Sequence, residues 1–476
     1  MTNNISRRSF LKRGAIAVGG VAALTAGAEI ATPLIMKETM EFDSNNSFWA
    51  LSGSKKTPPL QNDIEADIAI IGGGYTGLSA AYNLKKRFPG KKIVLLEACG
   101  VGQGASGRNG GMKLPQPSNE YMEIYSNKDS HKKTYDLTVE NIKEVSKLID
   151  ESRIDCDLAL KGILLVIVGK KQVDELIAYS RVAQTLGMPI EFWDREKTKK
   201  AIGTDVYYGS LYDPNGGQVN PMKLVNALKA ISQISGVEIY EDSPVHEITQ
   251  GEPAVLRVGI NNNKVRAGSV VLATNGYTSK LGFFKYSVMA VQTQIAVTPQ
   301  LPPSLIEEIG WVSRMPFSDT RNILFHAGNT KDGRILIGAG HVDYFFNNPV
   351  TYKGDIKTPY NILKKELSRI YPKLAKTEFE SIWSGVMGFT IDFNQSVGVT
   401  GKYKNIYYGL GYCGHGVNLS ILFGRIISDL YAGEGEKWKG MPFYNRSLIP
   451  LPPEPLRWVG VQANIQYLDM LDKSYS

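Results

Sequence analysis

The sequence predicts an α/β protein of two interleaved domains, one on a mainly parallel sheet and one α+β with a mainly antiparallel sheet. Three observations lead to this prediction. Residues 66–97 read as strand, glycine-rich turn, helix and strand, the pattern of a parallel β-α-β unit. Further glycine-rich segments lie at 104–111 and 409–416. Residues 285–345 alternate apolar and polar side chains as β-strands do.

The composition limits the class of protein. The chain has 476 residues, of which 43% are hydrophobic and 21% charged, so it can bury a large core and is not a disordered chain. Its 3 cysteines lie far apart, which excludes a disulfide scaffold. The net charge is +8, but residues 1–28 carry four basic side chains and no acidic one. Without these residues the net charge is 8 − 4 = +4, which is ordinary for an enzyme and does not indicate nucleic-acid binding.

The N-terminus has the features of an export signal. Ser6–Lys12 resembles the twin-arginine motif, and residues 14–28 are uncharged and mostly small or apolar. This run is too short for a free-standing membrane span, and Ala26-Gly27-Ala28 offers a cleavage site. We therefore expect a signal peptide at 1–28, a linker at 29–62, and export by the twin-arginine translocase to the periplasm or the outer face of the membrane. A basic cytoplasmic tail and an uncleaved anchor are the alternatives.

The first glycine-rich turn matches a dinucleotide-binding fingerprint. The unit consists of strand 66–71, the glycines Gly72, Gly74 and Gly77, a helix over 78–88 and a strand over 92–96. The first glycine permits the tight turn, the second lets backbone approach a pyrophosphate at the helix N-terminus, and the third lets helix and strand pack closely. Glu97 follows the second strand, where a carboxylate binds ribose hydroxyls. The sequence therefore predicts a Rossmann-like domain.

The second glycine-rich segment, 102–111, favours a flavin over a nicotinamide cofactor. Its small residues would let backbone lie along an extended cofactor, and Ser106 and Arg108 could donate hydrogen bonds to phosphate or ring atoms. A nicotinamide enzyme does not need a second loop of this kind, whereas a flavin buried across the domain does. A flexible surface loop is the alternative, and it fits poorly with Arg108-Asn109 inside the segment.

The third segment, 409–416, joins a strand at 406–408 to an apolar helix at 417–430. Backbone N–H groups at this helix N-terminus would face the pyrimidine edge of a flavin, where negative charge collects on reduction. His415 could donate to the same edge, although a lone histidine is often structural. The three segments together predict one flavin site.

These motifs resemble those of the D-amino-acid oxidase superfamily of FAD-dependent oxidoreductases, and within it the γ-glutamylputrescine oxidoreductase-like proteins. The likeness runs from about residue 48 to about residue 472. It rests on Ile71–Leu78, Gly104–Gly111, Gly216–Pro221, Val270–Gly276, Asp319–Arg321, Asp332–Arg334, Ile382–Gly385, Thr390–Asp392 and Gly409–Val417. The resemblance implies a discontinuous Rossmann-like FAD-binding domain, an interleaved substrate domain, and oxidation of an amine or amino acid.

The resemblance also implies which residues bind FAD, which we expect to be held without a covalent bond. They are Gly72, Gly74, Tyr75, Thr76, Gly77, Glu97, Ala105, Ser106, Arg108, Asn109, Gly110, Gly111, Val245, Thr274, Asn275, Gly276, Gly414, Gly416 and Val417. The candidate catalytic or substrate-contacting residues are Arg321, His326, Trp383, Tyr412, Cys413 and His415. Arg321 could instead be a surface charge. No metal site is expected, because the sequence has no HExxH or CxxC motif.

Departures from the family pattern leave three points open. Cys413 stands where the family usually has serine, so its thiol is a neutral replacement, a redox-sensitive group or a covalent attachment point. The sarcosine-oxidase branch carries its flavin on a cysteine near the position of Gly385, so that linkage is not expected. That branch also has an oxygen-activating lysine on the strand that matches 334–338, which has none here. The electron acceptor is therefore oxygen, a quinone or a protein. His326 replaces a frequent arginine, which leaves the substrate open.

The remaining patterns suggest the domain boundaries. An amphipathic helix over 133–152, a strand over 163–168 and a helix over 170–186 precede the second half of the chain. We assign the FAD-binding domain to 63–130, 200–284 and 380–440, the substrate domain to 131–199 and 285–379, and a C-terminal strap to 441–476. The strap mixes prolines with apolar residues, which favours a segment that packs over the domain. The alternative is that its apolar residues contact a membrane.

The predicted reaction is hydride transfer from the carbon next to a neutral amine to flavin N5. The imine product hydrolyses to an aldehyde or keto acid. Two alternatives remain open: a membrane-associated flavin dehydrogenase that reduces a quinone or a protein, and a non-catalytic exported flavoprotein.

Overall fold

The computed structural model describes residues 47–115 and 123–475. The predicted signal peptide and the first part of the predicted linker lie outside the described residues. The strands of the described part are β1 (Ile64–Ile71), β2 (Ile93–Leu96), β3 (Met112–Lys113), β4 (Ile163–Val166), β5 (Glu191–Trp193), β6 (Ser210–Asp213), β7 (Gly217–Gln218), β8 (Glu238–Tyr240), β9 (Val245–Thr249), β10 (Ala254–Val258), β11 (Asn263–Leu272), β12 (Met289–Val297), β13 (Phe317–Asp319), β14 (Phe325–Asn329), β15 (Ile335–Ala339), β16 (Ser381–Phe389), β17 (Ser396–Thr400) and β18 (Ile406–Leu410).

The helices predicted over 78–88, 133–152, 170–186 and 417–430 are present, together with helices that the sequence analysis did not delimit. They are α1 (Tyr75–Arg87), α2 (Glu123–Ser126), α3 (Lys128–Ser152), α4 (Val173–Thr185), α5 (Arg195–Ile202), α6 (Pro221–Ile234), α7 (Pro303–Ile309), α8 (Lys357–Ile370), α9 (Gly416–Tyr431) and α10 (Leu456–Lys473). Helix α3 starts earlier than predicted because Asn127 caps it, its side chain accepting a hydrogen bond from Ser130 N at 3.0 Å. Helix α1 ends in Lys85, Lys86 and Arg87, which favour the negative end of the helix dipole.

The first sheet is the Rossmann-like one. Its strands run in the order β17-β18-β11-β1-β2-β8, with β10 and β9 added on β11. The pairs β18-β11, β11-β1, β1-β2 and β2-β8 are parallel. Residues Ile68–Ile71 are buried because both faces of this sheet are covered. Helices α1, α3, α6 and α9 share one core on one face of the sheet.

The second sheet runs in the order β16-β12-β15-β14-β13-β4-β6-β5. All of its pairs are antiparallel except β13-β4. It has its own apolar core, in which Phe317 of β13 packs with Trp311 and with Leu367 of α8. The predicted fold class, a discontinuous Rossmann-like domain with a second domain on a mainly antiparallel sheet, is confirmed.

Three predicted domain boundaries need correction. Strand β6 falls in the segment 200–284 assigned to the FAD-binding domain, but it pairs with β4 and β5 of the second sheet. Strand β16 opens the segment 380–440, yet it pairs with β12 along its whole length. Helix α3 was assigned to the substrate domain and instead packs on α6 and α9 of the first core. Periodicity reveals that a segment has an apolar face but not which distant partner covers that face.

None of the helices in residues 47–115 and 123–475 combines the length and apolar character that a membrane span needs.

Candidate functional site

The turn between β1 and α1 is shaped to bring backbone close to a ligand. Gly72 has φ of +103°, a conformation that side chains disfavour. A Cβ on Gly77 would lie 1.9 Å from the carbonyl oxygen of Gly72, so only glycine lets α1 pack this closely on the turn. A Cβ on Gly74 would lie 2.8 Å from Oγ of Ser106. The first turn of α1 is held against the second glycine-rich segment, since Tyr75 N donates to Ser106 Oγ at 2.9 Å. The N-terminus of a helix is a favourable place for an anion such as a pyrophosphate.

Glu97 lies at the end of β2, beside this turn. Its carboxylate accepts hydrogen bonds from Gly73 N at 2.7 Å and from Cys99 N at 3.0 Å. Burial raises the pKa of Glu97, and the two backbone donors oppose that effect. The side chain lies where a dinucleotide fingerprint puts the ribose-binding acid.

A cavity of about 210 Å³, called the cofactor cavity from here on, joins the three glycine-rich segments. The predicted FAD-binding residues that line it are Gly72, Gly74, Tyr75, Thr76, Glu97, Ala105, Ser106, Arg108, Asn109, Val245, Thr274, Asn275, Gly414, Gly416 and Val417. Helix N-termini, a carboxylate and glycine backbone in one cavity fit the groups of a dinucleotide such as FAD.

Four of the glycines predicted to bind FAD do not line the cofactor cavity. Gly77 supports the turn as described above. Gly110 lines the neighbouring cavity. Gly111 has φ of +74°, and a Cβ there would lie 2.1 Å from Val219 O, so its role is backbone packing. Gly276 packs against Val386, which a Cβ would approach to 2.9 Å.

Three side chains fasten the segment at 104–111 through consecutive carbonyl groups. Ser47 Oγ donates to Gly107 O at 2.6 Å, Trp383 Nε1 to Arg108 O at 2.8 Å, and Trp49 Nε1 to Asn109 O at 2.9 Å. Trp383 is fully buried and lines neither cavity. It is therefore corrected from a substrate contact to a residue that positions the loop. The roles of Ser47 and Trp49 were missed, because no motif links positions so far apart in sequence.

Arg108 is held beside both cavities. Its Nε donates to Gln103 O at 2.7 Å and one Nη to Ser384 O at 3.0 Å. Asn109 closes the same loop, since its side chain donates to Ser106 O at 2.8 Å and accepts from Gly111 N at 2.8 Å. These hydrogen bonds fix the conformation of the loop through its own side chains.

The turn before α9 brings Tyr412, Cys413 and His415 together. Cys413 and Gly414 have φ of 48° and 92°. His415 occupies the N-cap position without a side-chain capping hydrogen bond, and its Nδ1 lies 3.3 Å from Cys413 O. The Cys413 thiol donates to Gly411 O at 3.1 Å, and burial raises its pKa to about 12. The thiol is therefore protonated at neutral pH.

Tyr412 belongs to the cofactor cavity. Its hydroxyl lies 2.6 Å from Thr76 Oγ1 in the first turn of α1, and it does not line the second cavity. It is corrected from a substrate contact to a residue that joins the N-termini of α1 and α9.

The second cavity, called the chamber from here on, has a volume of about 580 Å³. It lies between the N-terminus of α9, the second sheet and helix α10, and it is lined by Gly110, His326, Cys413 and His415 among others. The His326 ring is wedged between two glycines, since a Cβ on Gly110 or Gly338 would meet it at 2.8 or 2.6 Å. Burial lowers the pKa of His326 to about 4, so this imidazole is neutral at pH 7.

Arg321 lies outside both cavities. Its guanidinium pairs with Asp319 at 3.0 Å and with Glu366 of α8 at 2.9 Å. Burial raises the pKa of Asp319 to about 7, although Arg321 opposes the shift. The predicted substrate contact is corrected to a buried charge cluster, and the surface-charge alternative is wrong as well.

Comparison with known proteins adds a family match and close structural neighbours. The model of the DAO family, described as FAD dependent oxidoreductase, matches residues 67–430. The γ-glutamylputrescine oxidoreductase of Escherichia coli (strain K12) is 29% identical over 86% of this chain and 94% of its own length. The probable oxidoreductase OrdL of Haemophilus influenzae is 27% identical over 91% of this chain and 96% of its own. Glycine oxidase from Geobacillus kaustophilus superposes with a TM-score of 0.68 at 20% identity, over 81% of this chain and 99% of that one.

Proposed function

The chain belongs to the DAO family of FAD-dependent oxidoreductases, and from this premise we propose that it oxidises an amine or amino acid at the carbon bearing the nitrogen. When bound, FAD would supply the redox chemistry by taking up a hydride from that carbon at N5. After also losing a proton the substrate would be an imine, which water hydrolyses to an aldehyde or keto acid with release of ammonia or an amine. Two of the similar proteins are named for amines, γ-glutamylputrescine and glycine.

One observation carries the proposal. The cofactor cavity and the chamber share Arg108, Asn109, Cys413, Gly414 and Val417 as lining residues. A cofactor bound in the cofactor cavity would therefore lie next to the chamber, where a substrate would meet it. This adjacency is what hydride transfer needs, because the reacting atoms must come within about 3–3.5 Å of each other.

The chain's residues have separate tasks in this scheme. The turn at Gly72–Gly77 and the N-terminus of α1 would hold the pyrophosphate, and Glu97 would accept hydrogen bonds from ribose hydroxyls. The N-terminus of α9 would favour negative charge on a reduced flavin ring, and His415 at the N-cap could be a further donor. His326 adds no charge to the chamber, because it is neutral at pH 7.

We expect FAD to be bound without a covalent link. Gly385 lies near the place where a related branch has its attachment cysteine, and a glycine cannot make that bond. Cys413 is the remaining thiol beside both cavities, and it is held protonated by burial. A protonated thiol is a poor nucleophile, which disfavours attachment there.

The second candidate differs in the electron acceptor. Strand β15 (Ile335–Ala339) forms part of the second sheet beside the chamber and contains no lysine. This favours a dehydrogenase that reduces a quinone or a protein over an oxidase that reduces oxygen. Release of peroxide when air is admitted to substrate-reduced protein would support the oxidase instead.

The experiment uses purified protein with its bound flavin under anaerobic conditions. Polyamines, N-methyl amines and amino acids are added in turn while flavin absorbance is followed, and dithionite gives the fully reduced spectrum. At least one amine class should bleach the flavin. Bleaching by dithionite alone would overturn the proposal and favour the non-catalytic flavoprotein.

Export by the twin-arginine route to the periplasm, or to the outer face of the membrane with the signal retained, is part of the same proposal. Its support is the sequence at Ser6–Lys12 and the uncharged run that follows. Replacing Arg7 and Arg8 together by lysine should leave the protein in the cytoplasmic fraction, whereas Arg13→Lys should not. Equal export of the double variant would contradict the proposal.

A further inference from the structure

The chamber has an apolar wall assembled from three parts of the fold. Met289 and Val291 come from β12, Phe389 and Ile391 from the end of β16 and the turn after it, and Val461 and Ile465 from α10. These side chains belong to one apolar cluster, so the cavity is bounded by packed hydrocarbon. Burial of apolar groups against such a wall is favourable and non-directional.

Helix α10 is anchored at both ends, which fixes this wall in place. At its C-terminal end, Asp472 accepts hydrogen bonds from Asn322 N, Asn322 Nδ2 and Ile323 N at 2.7, 2.8 and 2.7 Å. At its N-terminal end, Glu454 accepts from Tyr344 Oη at 2.7 Å. The middle of the helix spans the chamber between these two anchors.

The charged groups of the chamber are already engaged. In the described part of the chain, the chamber lining contains no Asp, Glu or Lys side chain. Its two guanidinium groups have partners. Arg108 donates to Gln103 O and to Ser384 O, and Arg457 pairs with Glu454 at 3.0 Å and donates to Lys285 O at 3.3 Å. A second charge on a ligand would enter without a partner, and burial of an unpaired charge is costly.

Resting on the proposed amine oxidation, we propose that the chamber selects a monoamine whose reacting carbon continues into an extended apolar group and bears no carboxylate. The apolar wall binds the hydrocarbon part of the substrate. A carboxylate on the reacting carbon, or a second ammonium at the far end, is rejected because no described side chain is available to neutralise it. His326 and Thr293 supply uncharged polar contacts near the amine end.

Flavin reduction by matched amines tests this selection. The holoenzyme is titrated anaerobically with n-propylamine to n-hexylamine, with 1,6-diaminohexane and with 2-aminohexanoate, each as the primary and the N-methyl form. The half-saturating concentration should fall about fourfold per added methylene, from about 0.8 kcal/mol per buried CH₂. The half-saturating concentration of the diamine should be at least about tenfold higher than that of n-hexylamine. That of the amino acid should be at least about tenfold higher than that of n-pentylamine.

The outcomes separate this inference from the proposed function. If the diamine or the amino acid reduces the flavin at equal or lower concentration than its matched alkylamine, the apolar-monoamine inference is overturned while amine oxidation stands. If the length of the alkyl chain has no effect on the half-saturating concentration, the apolar-monoamine inference is likewise overturned while amine oxidation stands. If no amine reduces a flavin that dithionite reduces, both proposals fail.

Two valines on α10 provide a matched pair of variants. Val461 lines the chamber, whereas Val459 lies on the outer face of the helix and is 54% exposed. Val461→Ser should raise the half-saturating concentration of n-hexylamine about tenfold and leave n-propylamine within about twofold, since only the longer chain reaches the wall. Val459→Ser should change neither, and Val461→Ile should retain the preference. Equal effects of Val461→Ser and Val459→Ser would contradict the inference. If the Val461→Ser protein loses its flavin, Val461→Ala is used in its place.

Discussion

The cofactor cavity and the chamber meet at the N-terminus of α9 but are built in different ways. The cofactor cavity is made largely of backbone and small residues, with helix N-termini and one carboxylate directed into it. The chamber is made of large apolar side chains from strands and a helix that are far apart in sequence. A cavity made of backbone can bind a common cofactor in many relatives, whereas one made of side chains can change its specificity residue by residue. The following substitutions test this contrast.

The largest effect on flavin binding is expected where backbone leaves no room for a side chain. Gly77→Ala would put a Cβ 1.9 Å from Gly72 O, so α1 must move away from the turn. The purified variant should carry no flavin absorbance and lose about 3 kcal/mol of stability by overpacking. Gly90→Ala is the control, because nothing lies within 4 Å of a Cβ there. Normal flavin content in Gly77→Ala would show that the cofactor cavity tolerates backbone movement. It would then contradict the view that this cavity depends on close backbone packing.

Replacing each of two buried lysines by methionine should change the stability of the protein in opposite directions. Lys229 of α6 pairs with Glu241 at 2.6 Å, and Thr57 N and Val101 N also donate to that carboxylate at 2.6 and 2.7 Å. Lys229→Met removes the only cation paired with this buried carboxylate among the described residues and should therefore cost about 3 kcal/mol. Lys113, which follows the chamber residue Met112, is buried with its Nζ lacking a hydrogen-bond partner among the described residues. Lys113→Met should therefore stabilise the protein by a few kcal/mol at pH 7.

The pH dependence identifies the cause of the Lys113 effect. Burial lowers the pKa of Lys113 to about 7, so between pH 7 and the ordinary lysine pKa of 10.5 the unfolded chain binds a proton that the folded one does not. Stability from this group therefore rises with pH over that range. The advantage of Lys113→Met, measured by denaturant unfolding, should be largest below pH 7 and disappear towards pH 10.5. A pH-independent difference would point to packing instead.

A smaller effect is expected at the carboxylate of the cofactor cavity. Glu97→Gln keeps the shape of the side chain and removes its charge, so FAD affinity should fall about 10- to 100-fold, as for hydrogen bonds to charged groups. Burial raises the pKa of Glu97, so wild-type affinity should decline as pH falls through a value above the usual glutamate range. Reconstitution of apoprotein monitored by flavin fluorescence measures both effects. An unchanged pH profile in the variant would mean that another group titrates.

The smallest effect is expected at Cys413, where the two cavities meet. Because its thiol is protonated, Cys413→Ser should leave the flavin spectrum and the rate of reduction nearly unchanged. Acid precipitation should release flavin into the supernatant from both proteins. Flavin that stays with the wild-type precipitate and not with the variant would establish a covalent link through this residue.

The fold was predictable from the sequence where signals are local. Strand β1 and helices α1, α3 and α9 lie within a few residues of their predicted bounds, because apolar periodicity and glycine positions mark them directly. The candidate site was harder to predict. Arg321 and Trp383 were assigned to substrate because of the motifs they belong to, but their partners, Glu366 and the carbonyl of Arg108, lie 45 and 275 residues away. No local pattern reports such a partner.

The sequence by itself determined the dinucleotide fingerprint, the glycine-rich segments and the family. These depend on short-range geometry: a turn, a helix N-terminus and a close backbone approach need particular residues at fixed spacing. Only the tertiary structure decided that α10 covers the chamber, that Ser47 and Trp49 fasten the cofactor loop, and that the chamber wall is apolar. Packing between distant segments depends on shape and burial, which emerge only when the two sheets and their helices come together.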